Sequence, residues 1–148
     1  MTKPIPLPPK WLLKAITKAN VLIYRLSGGR LWNTMEGSPI CLVTMTGRKS
    51  GRIMARPVMY TPNGDTVLIV ASLGGAPQHP LWYHNIMAHP DIAIAVGSTS
   101  RKMRARQASA AEKAELWPLV VASYPSFQSY QDSTTRDIPL LICEPAKA

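Results

Sequence analysis

"ICLVTMTGRKSGRIMARPVMYTPNGDTVLIVAS" runs from Ile40 to Ser72 and decides the fold. Its apolar runs are short and bounded by turn residues, the mark of strands rather than helices. "ICLVTMT" reads as a buried strand. "IMARPVMYT" reads as a second, with Pro57 predicting an edge position or a bulge because it cannot donate to a ladder. "PNGD" (Pro62–Asp65) predicts a hairpin turn, since Asn-Gly adopts positive φ at little cost. "TVLIVAS" (Thr66–Ser72) then pairs back. Between the first two strands, "TGRKSGRIMARP" concentrates Arg48, Lys49, Arg52 and Arg56 beside two glycines.

Towards the C-terminus, Pro80 to about Ala88 reads as a short helix, with Pro80 near its first position and Pro90 beyond its end. "DIAIAVG" and "RKMRARQAS" alternate like antiparallel strands with one solvated face. Lys102, Arg104 and Arg106 share that face by the period of two. Ser109-x-x-Glu112 is a capping-box pattern that opens the helix "AAEKAELWPLVVAS", with a kink expected at Pro118. "IPLLICEP" is the last strand. Towards the N-terminus, Trp11 to about Leu26 reads as a helix ended by Gly28-Gly29. Leu12, Ile16, Ala19, Ile23 and Leu26 gather on one of its faces, with Lys10, Lys14, Lys18 and Arg25 opposite. Packing of that apolar face on the core is the plain reading. The alternative is a basic amphipathic helix that touches acidic lipid or covers an active site, with Trp11 and Trp32 near its ends. Residues 1–10 hold four prolines and read as a flexible arm. The order of helix, three strands, helix, two strands, helix and strand predicts an α+β protein. Its single domain, residues 11–148, is an antiparallel barrel with peripheral helices and an N-terminal amphipathic helix.

The chain has 148 residues, 46% of them hydrophobic and 17% charged, which supports one real core and disfavours disorder. The net charge of +9 implies an anionic partner: nucleic acid, acidic lipid or a phosphorylated small molecule. Cys41 and Cys143 sit in apolar runs without CxxC spacing, so free buried thiols in a reducing cytoplasm are expected. No apolar run approaches the ~18 residues of a membrane span. The prolines of "MTKPIPLPPK" replace the apolar core of a signal peptide.

His79, His84 and His89 are five residues apart, and five helical steps rotate about 140°, so adjacent members diverge. With no HExxH and no nearby carboxylate pair, no metal site is expected. GxSxG, Walker and GxGxxG patterns are all absent. Aromatics make up 7%, and none interleaves with the basic clusters, so nucleic acid is not the expected partner. "VASLGGAPQHPLWYHNIMAHP" (Val70–Pro90) is more telling. A strand ends at Ser72, a glycine pair admits a ligand to the backbone, and a helix start favours an anion. Trp82 and Tyr83 offer flat surfaces there. Tyr124, Phe127 and Tyr130 recur at three-residue spacing in "SYPSFQSYQDSTTRDIP", where hydroxyls could donate protons or hydrogen bonds.

Together "TGRKSGR", "VASLGGAPQHPLWYHN", "ELWP", "YPSFQSYQ" and "RDIPLLICEP" resemble the deazaflavin-dependent nitroreductase and quinone-reductase family of actinobacteria, mycobacteria among them. The resemblance implies an FMN-binding-like split β-barrel that uses reduced coenzyme F420 as hydride donor. Arg48, Lys49 and Ser50 would hold the cofactor's anionic part, with further contacts from Met54, Arg56, Pro57 and Val58. Its ring would lie along Val70, Ala71, Ser72 and Leu73 and the helix start at Leu81, Trp82, Tyr83 and Asn85. A quinone such as menaquinone, an activated alkene or a nitroaromatic would stack over the ring, bounded by Ser72, Trp82, Tyr124, Phe127 and Tyr130. Ser72 is expected to hydrogen-bond the acceptor oxygen, and Tyr124 or Tyr130 to supply a proton or shape the pocket.

Leu73 and Met54 stand where some relatives carry a lysine and an arginine, so tail binding rests on Arg48, Lys49 and Arg56. Phe127 replaces a tyrosine of nitroimidazole-reducing members, which leaves quinone or enone reduction untouched. A lipid-dissolved acceptor would give the N-terminal helix a purpose, as a peripheral contact with acidic membrane. The competing readings are an FMN-dependent split-barrel oxidoreductase and a non-catalytic deazaflavin carrier.

Overall fold

A computed structural model describes residues 9–27, 34–35 and 38–146. The expected arm (residues 1–8 of it), the Gly28-Gly29 helix stop and Trp32 lie outside the described residues. In chain order the elements are α1 (Lys10–Leu26), β1 (Thr34–Met35), β2 (Ser38–Thr46), β3 (Ile53–Met59), β4 (Thr61–Asn63) and β5 (Thr66–Val70). A 3-10 turn (Leu73–Gly75), α2 (Leu81–Ala88), β6 (Asp91–Val96), β7 (Thr99–Gln107), α3 (Ala110–Ser123), α4 (Ser126–Asp132) and β8 (Leu140–Pro145) follow.

All strand pairs are antiparallel, in the order β3-β2-β6-β7-β8-β5-β4, and the two residues of β1 pair with the start of β2. β3 and β4 lie at opposite ends of this order, yet only Tyr60 separates them in the chain. Each residue spans at most about 3.5 Å, so the two ends of the sheet meet at Tyr60 and the sheet must curl. β3 pairs with β2 alone among the described residues, and the curled sheet stays open along that seam. Pro57 therefore sits on an edge strand, as its missing N–H requires.

Several local expectations change. "IMARPVMYT" breaks at Tyr60 into two strands that belong to opposite ends of the sheet. The hairpin turn is Gly64-Asp65 rather than Asn-Gly: Asn63 pairs with Thr66, and Gly64 alone takes positive φ, at 60°. β5 pairs back on β4 for three residues only, and its main partner is β8. α3 runs through Pro118 as one helix, opened by the expected capping box. Ser109 Oγ accepts from the Glu112 N–H at 3.2 Å, and the Glu112 carboxylate accepts from the Ser109 N–H at 3.0 Å. A separate helix, α4, begins after Pro125 and carries Phe127 and Tyr130.

The core has three parts. Cys41, Val43, Met45, Val58, Ile69, Ile86, Ile94 and Met103 pack in the concave side of the sheet, under α2. Leu68, Val70, Val120, Tyr124, Phe127 and Ile142 pack beneath α3 and α4. Tyr24 packs on Ile40 and Leu42 beneath α1. Cys41 and Cys143 are free buried thiols, both pushed up to about 12 by burial. On β7, Met103 and Ala105 point inward while Lys102, Arg104 and Arg106 point to solvent.

α1 does not pack as its apolar stripe predicts. Its seat on the sheet is made by Val21 and the buried Tyr24, whose hydroxyl accepts from the Gly97 N–H at 2.7 Å. Three of the five stripe residues face outward, Ile16 46%, Ile23 37% and Leu26 79% exposed, while Leu12 and Ala19 are half-buried. Trp11 and Leu22 add to that surface, and Lys10, Lys14, Lys18 and Arg25 are exposed as well. A phenol that buries its ring and satisfies its hydroxyl outweighed the wider aliphatic stripe.

Candidate functional site

The segment 47–52 joins β2 to β3 as a closed turn. The Gly51 N–H donates to Gly47 O at 2.9 Å, the Gly47 N–H to Arg52 O at 2.8 Å, and Gly51 takes φ 68°. Arg48, Lys49, Ser50 and Arg52 are all exposed on it. Asn85 of α2 fixes the turn from outside. Its Oδ1 accepts from the Arg48 N–H at 3.0 Å, and its Nδ2 donates to the Met54 sulfur at 3.7 Å. The Asn85 amide thus latches the basic turn to α2.

The turn concentrates cations without ion pairs, a state shared among the described residues by Arg101, Lys102 and the basic residues of α1. Among the described residues, Arg104, Arg106 and Lys113 form ion pairs, whereas Arg48, Lys49, Arg52 and Arg56 have none. Unneutralised cations on a rigid turn fit a multiply anionic ligand, because charge-assisted hydrogen bonds are the strong ones. Along β3, Met54, Arg56 and Val58 stand opposite Met45, Val43 and Cys41, on the concave side. Pro57 stands opposite Leu42, so its ring points to the other side of the sheet.

β5 runs into buried Val70, Ala71 and Ser72. The backbone then turns left-handed, with φ 45° at Leu73, 63° at Gly74 and 82° at Gly75. Leu73 is the one non-glycine residue at positive φ among the described residues, an arrangement met mainly at functional turns. Ser72 is a largely buried residue whose hydroxyl makes no hydrogen bond among the described residues, so it is available to a ligand. Gly75 rests directly on α4, where a Cβ would meet Ser133 Oγ, Tyr130 O and Tyr130 Cα.

The three aromatics do come together. Tyr124 and Phe127 are buried with ring centroids 4.9 Å apart, edge to face. The Tyr124 and Tyr130 hydroxyls are 3.1 Å apart. At the start of α2, Leu81 is 76% exposed and Trp82 half-buried. Tyr83 turns towards β7, donating to Gln107 Oε1 at 2.6 Å.

The histidines depart from the helical estimate, because His79 precedes α2. Its ring lies 4.6 Å from Tyr83 and 5.9 Å from His84. Its Nδ1 is 2.9 Å from the Arg136 guanidinium. Burial, then Arg136, then His84 hold its pKa below 6.5. Arg136 was not among the expected site residues. A lone arginine beside an aspartate in "TRDIP" carries no spacing signal, and only the fold brings it to the Ser72 turn.

A hollow of about 490 Å³ lies elsewhere, lined by Thr44, Thr46, Ile53, Asp91 and Lys102. It shares none of the expected residues. Its lining carries one lysine, Lys102, against the four cations gathered at the 47–52 turn and β3.

A family model described as F420H(2)-dependent quinone reductase matches residues 16–145. The chain belongs to this family. It is 36% identical over 124 residues to an F420H(2)-dependent quinone reductase of Mycobacterium tuberculosis, covering 81% of this chain and 83% of that one. The solved structure of an F420-H2 dependent reductase of class FDR-A superposes with TM-score 0.67 at 38% identity, covering 72% of this chain and 94% of that one. A Listeria innocua protein of the pyridoxamine 5'-phosphate oxidase type, 11% identical with TM-score 0.51, covers 92% of this chain and 94% of its own; it shares the split-barrel fold alone. This quinone reductase is thus an α+β split-barrel oxidoreductase with reduced coenzyme F420 as its hydride donor.

Proposed function

We propose that the turn at 47–52 and β3 hold the phosphodiester and carboxylates of coenzyme F420, through Arg48, Lys49, Ser50 and Arg56. The observation that carries this is the set of unpaired cations on a turn latched to α2. Backbone at Val70–Leu73 and the start of α2, from Leu81 to Tyr83, border the deazaflavin ring. When bound, coenzyme F420 supplies the hydride. The chain's own task is to align donor and acceptor, an orientation effect. Ser72 Oγ–H donates to the acceptor oxygen that gains charge as hydride arrives. The Tyr124–Tyr130 hydroxyl pair delivers the one proton that completes the hydroquinone. Phe127 and Trp82 bound the acceptor. Menaquinone fits the site's apolar, aromatic edge, and activated alkenes fit the same chemistry.

We also infer that α1 lies on acidic membrane. Most of its apolar stripe faces solvent and its lysines are exposed, the pattern of a helix lying in a lipid interface. No described helix is long and apolar enough to cross a membrane.

The test is reoxidation of reduced coenzyme F420 by a menaquinone analogue, followed by absorbance, with FMN and NADPH as controls. Turnover with reduced coenzyme F420 alone is expected. Turnover with FMN instead would replace the cofactor, and cofactor binding without turnover would identify a carrier.

A further inference from the structure

We propose that Arg136 is a positioning residue that staples the Ser72–His79 segment into its cofactor-competent shape. The inference rests on the assignment of Ser72 and Leu73 to the ring and acceptor.

A guanidinium has five N–H donors in one plane and no acceptor. Arg136 spends four of them on this segment. Nε donates to Ala76 O at 2.7 Å and Nη2 to Ser72 O at 2.6 Å. Nη1 donates to Ala71 O at 3.2 Å and to His79 Nδ1 at 2.9 Å. The acceptors flank the left-handed turn on both sides: Ala71 and Ser72 enter it, Ala76 and His79 leave it. One planar group thus fixes the ends of a turn whose middle, Leu73 to Gly75, is held at positive φ. With the Ser72 carbonyl held, the direction of its hydroxyl is set by one side-chain rotation.

The staple is itself anchored. Gln131 Nε2 donates to Arg136 O at 2.9 Å, and Gln131 Oε1 accepts from the Ile138 N–H at 3.0 Å. Next to it, Asp137 is taken by Lys113 at 2.6 Å, so it does not compete for the guanidinium. Among the described residues no carboxylate pairs with Arg136. A part-buried cation that meets only neutral acceptors is costly to keep, and here it spends nearly all its donors on one segment.

The geometry also fixes His79. A guanidinium can only donate, so Nδ1 must present a lone pair and the ring hydrogen must sit on Nε2. Protonation of Nδ1 would break the bond and set two cations against each other. Lysine keeps the charge of Arg136 but, with three donors at tetrahedral angles, cannot span four coplanar acceptors.

The experiment compares the full-length parent with Arg136→Lys and Arg136→Ala. Imidazole nitrogen NMR of the parent near neutral pH should show His79 as the Nε2–H tautomer, and that ring should titrate higher in Arg136→Ala, where the neighbouring charge is gone. Turnover of reduced coenzyme F420 should fall by about 100-fold in Arg136→Lys, the scale of an ångström's misplacement. Cofactor binding should persist through the unchanged basic turn. Added guanidinium should restore part of the Arg136→Ala rate. Arg136→Lys turning over as fast as the parent, or His79 protonated on Nδ1 in the parent, would overturn the staple. A parent that binds no coenzyme F420 would instead sink the reading of the site itself, while the His79 tautomer still reports on the staple.

Discussion

Gly75→Ala separates two physical costs that act at neighbouring positions. Gly74 and Gly75 are both left-handed, at φ 63° and 82°. An alanine at either pays the left-handed penalty of about 1–2 kcal/mol. Nothing lies within 4 Å of a Cβ at Gly74. At Gly75 a Cβ would stand 3.0 Å from Tyr130 O and 3.2 Å from Tyr130 Cα, and would collide with Ser133 Oγ. The Ser133 hydroxyl could rotate away, but it would give up its 2.8 Å bond to Tyr130 O. The Tyr130 backbone belongs to α4 and cannot rotate away. Overpacking of this kind costs about 1–3 kcal/mol more. Gly75→Ala should therefore lose about 2–5 kcal/mol and Gly74→Ala about 1–2 kcal/mol. For a domain of this size that is a fall in Tm of about 4–20 °C against about 2–8 °C.

Urea and thermal unfolding by circular dichroism would measure both variants. The catalytic consequence is equally specific. Moving α4 off the turn disturbs the 3.1 Å contact between the Tyr124 and Tyr130 hydroxyls, so turnover in folded Gly75→Ala should fall while cofactor binding holds. A Gly75→Ala protein as stable as Gly74→Ala would refute the claim that the turn rests on α4. Equal turnover in the two would refute the coupling of that contact to the site.

Other outcomes follow from the same geometry. Lys49→Ala should mainly weaken binding of coenzyme F420, and Ser72→Ala should mainly slow turnover, read as Kd by titration and kcat by reoxidation; the reverse pattern would contradict both roles. Hydrogen bonds from Arg106 and the Ser109 N–H draw the Glu112 carboxyl from 4.5 down to about 2. A depressed carboxyl lends stability that is present above pH 4.5 and lost as pH falls through about 2. Glu112→Gln should flatten urea stability across that window, and an unchanged pH slope would show the network to be inert. Changing Lys10, Lys14 and Lys18 to glutamate should abolish flotation with acidic liposomes, since each lysine near such a surface contributes about 1 kcal/mol. Unchanged flotation would argue against membrane contact by α1.

The elements that the sequence disclosed are those whose signal is local. The capping box at Ser109 and Glu112, the alternation of β7 and the edge strand at Pro57 each follow from a few adjacent residues. The aromatic trio was legible for the same reason, since one short helix carries Phe127 and Tyr130 beside Tyr124. What failed depended on distant partners. The break at Tyr60 exists because β4 belongs with β5 and β8, at the other end of the sheet. α1 turned most of its stripe outward because Tyr24 found a ring pocket and a backbone donor 73 residues away, at Gly97. The bonds that Asn85 and Arg136 make to segments 37 and up to 65 residues away were equally hidden, because no periodicity reports such bonds.

The excess of positive charge resolves in the same way. On sequence, the basic turn, the α1 lysines and the β7 row all contribute to a net charge of +9 that implies an anionic partner without saying which row meets it. Folding sets them apart. Two of the three outward cations of β7 are taken up, Arg104 by Asp91 at 2.9 Å and Arg106 by Glu112 at 2.8 Å and by Glu144. The turn at 47–52 keeps its cations unpaired among the described residues, and α1 keeps its lysines beside an outward apolar stripe. A nucleic-acid groove needs one continuous basic strip with stacking aromatics. Among the described residues the basic turn and α1 are instead distinct surfaces: a closed turn bearing Arg48, Lys49 and Arg52, and a helix with exposed apolar side chains beside its charge. On the reading proposed above, the turn serves the anionic donor and the helix a membrane that holds the acceptor, one surface for each.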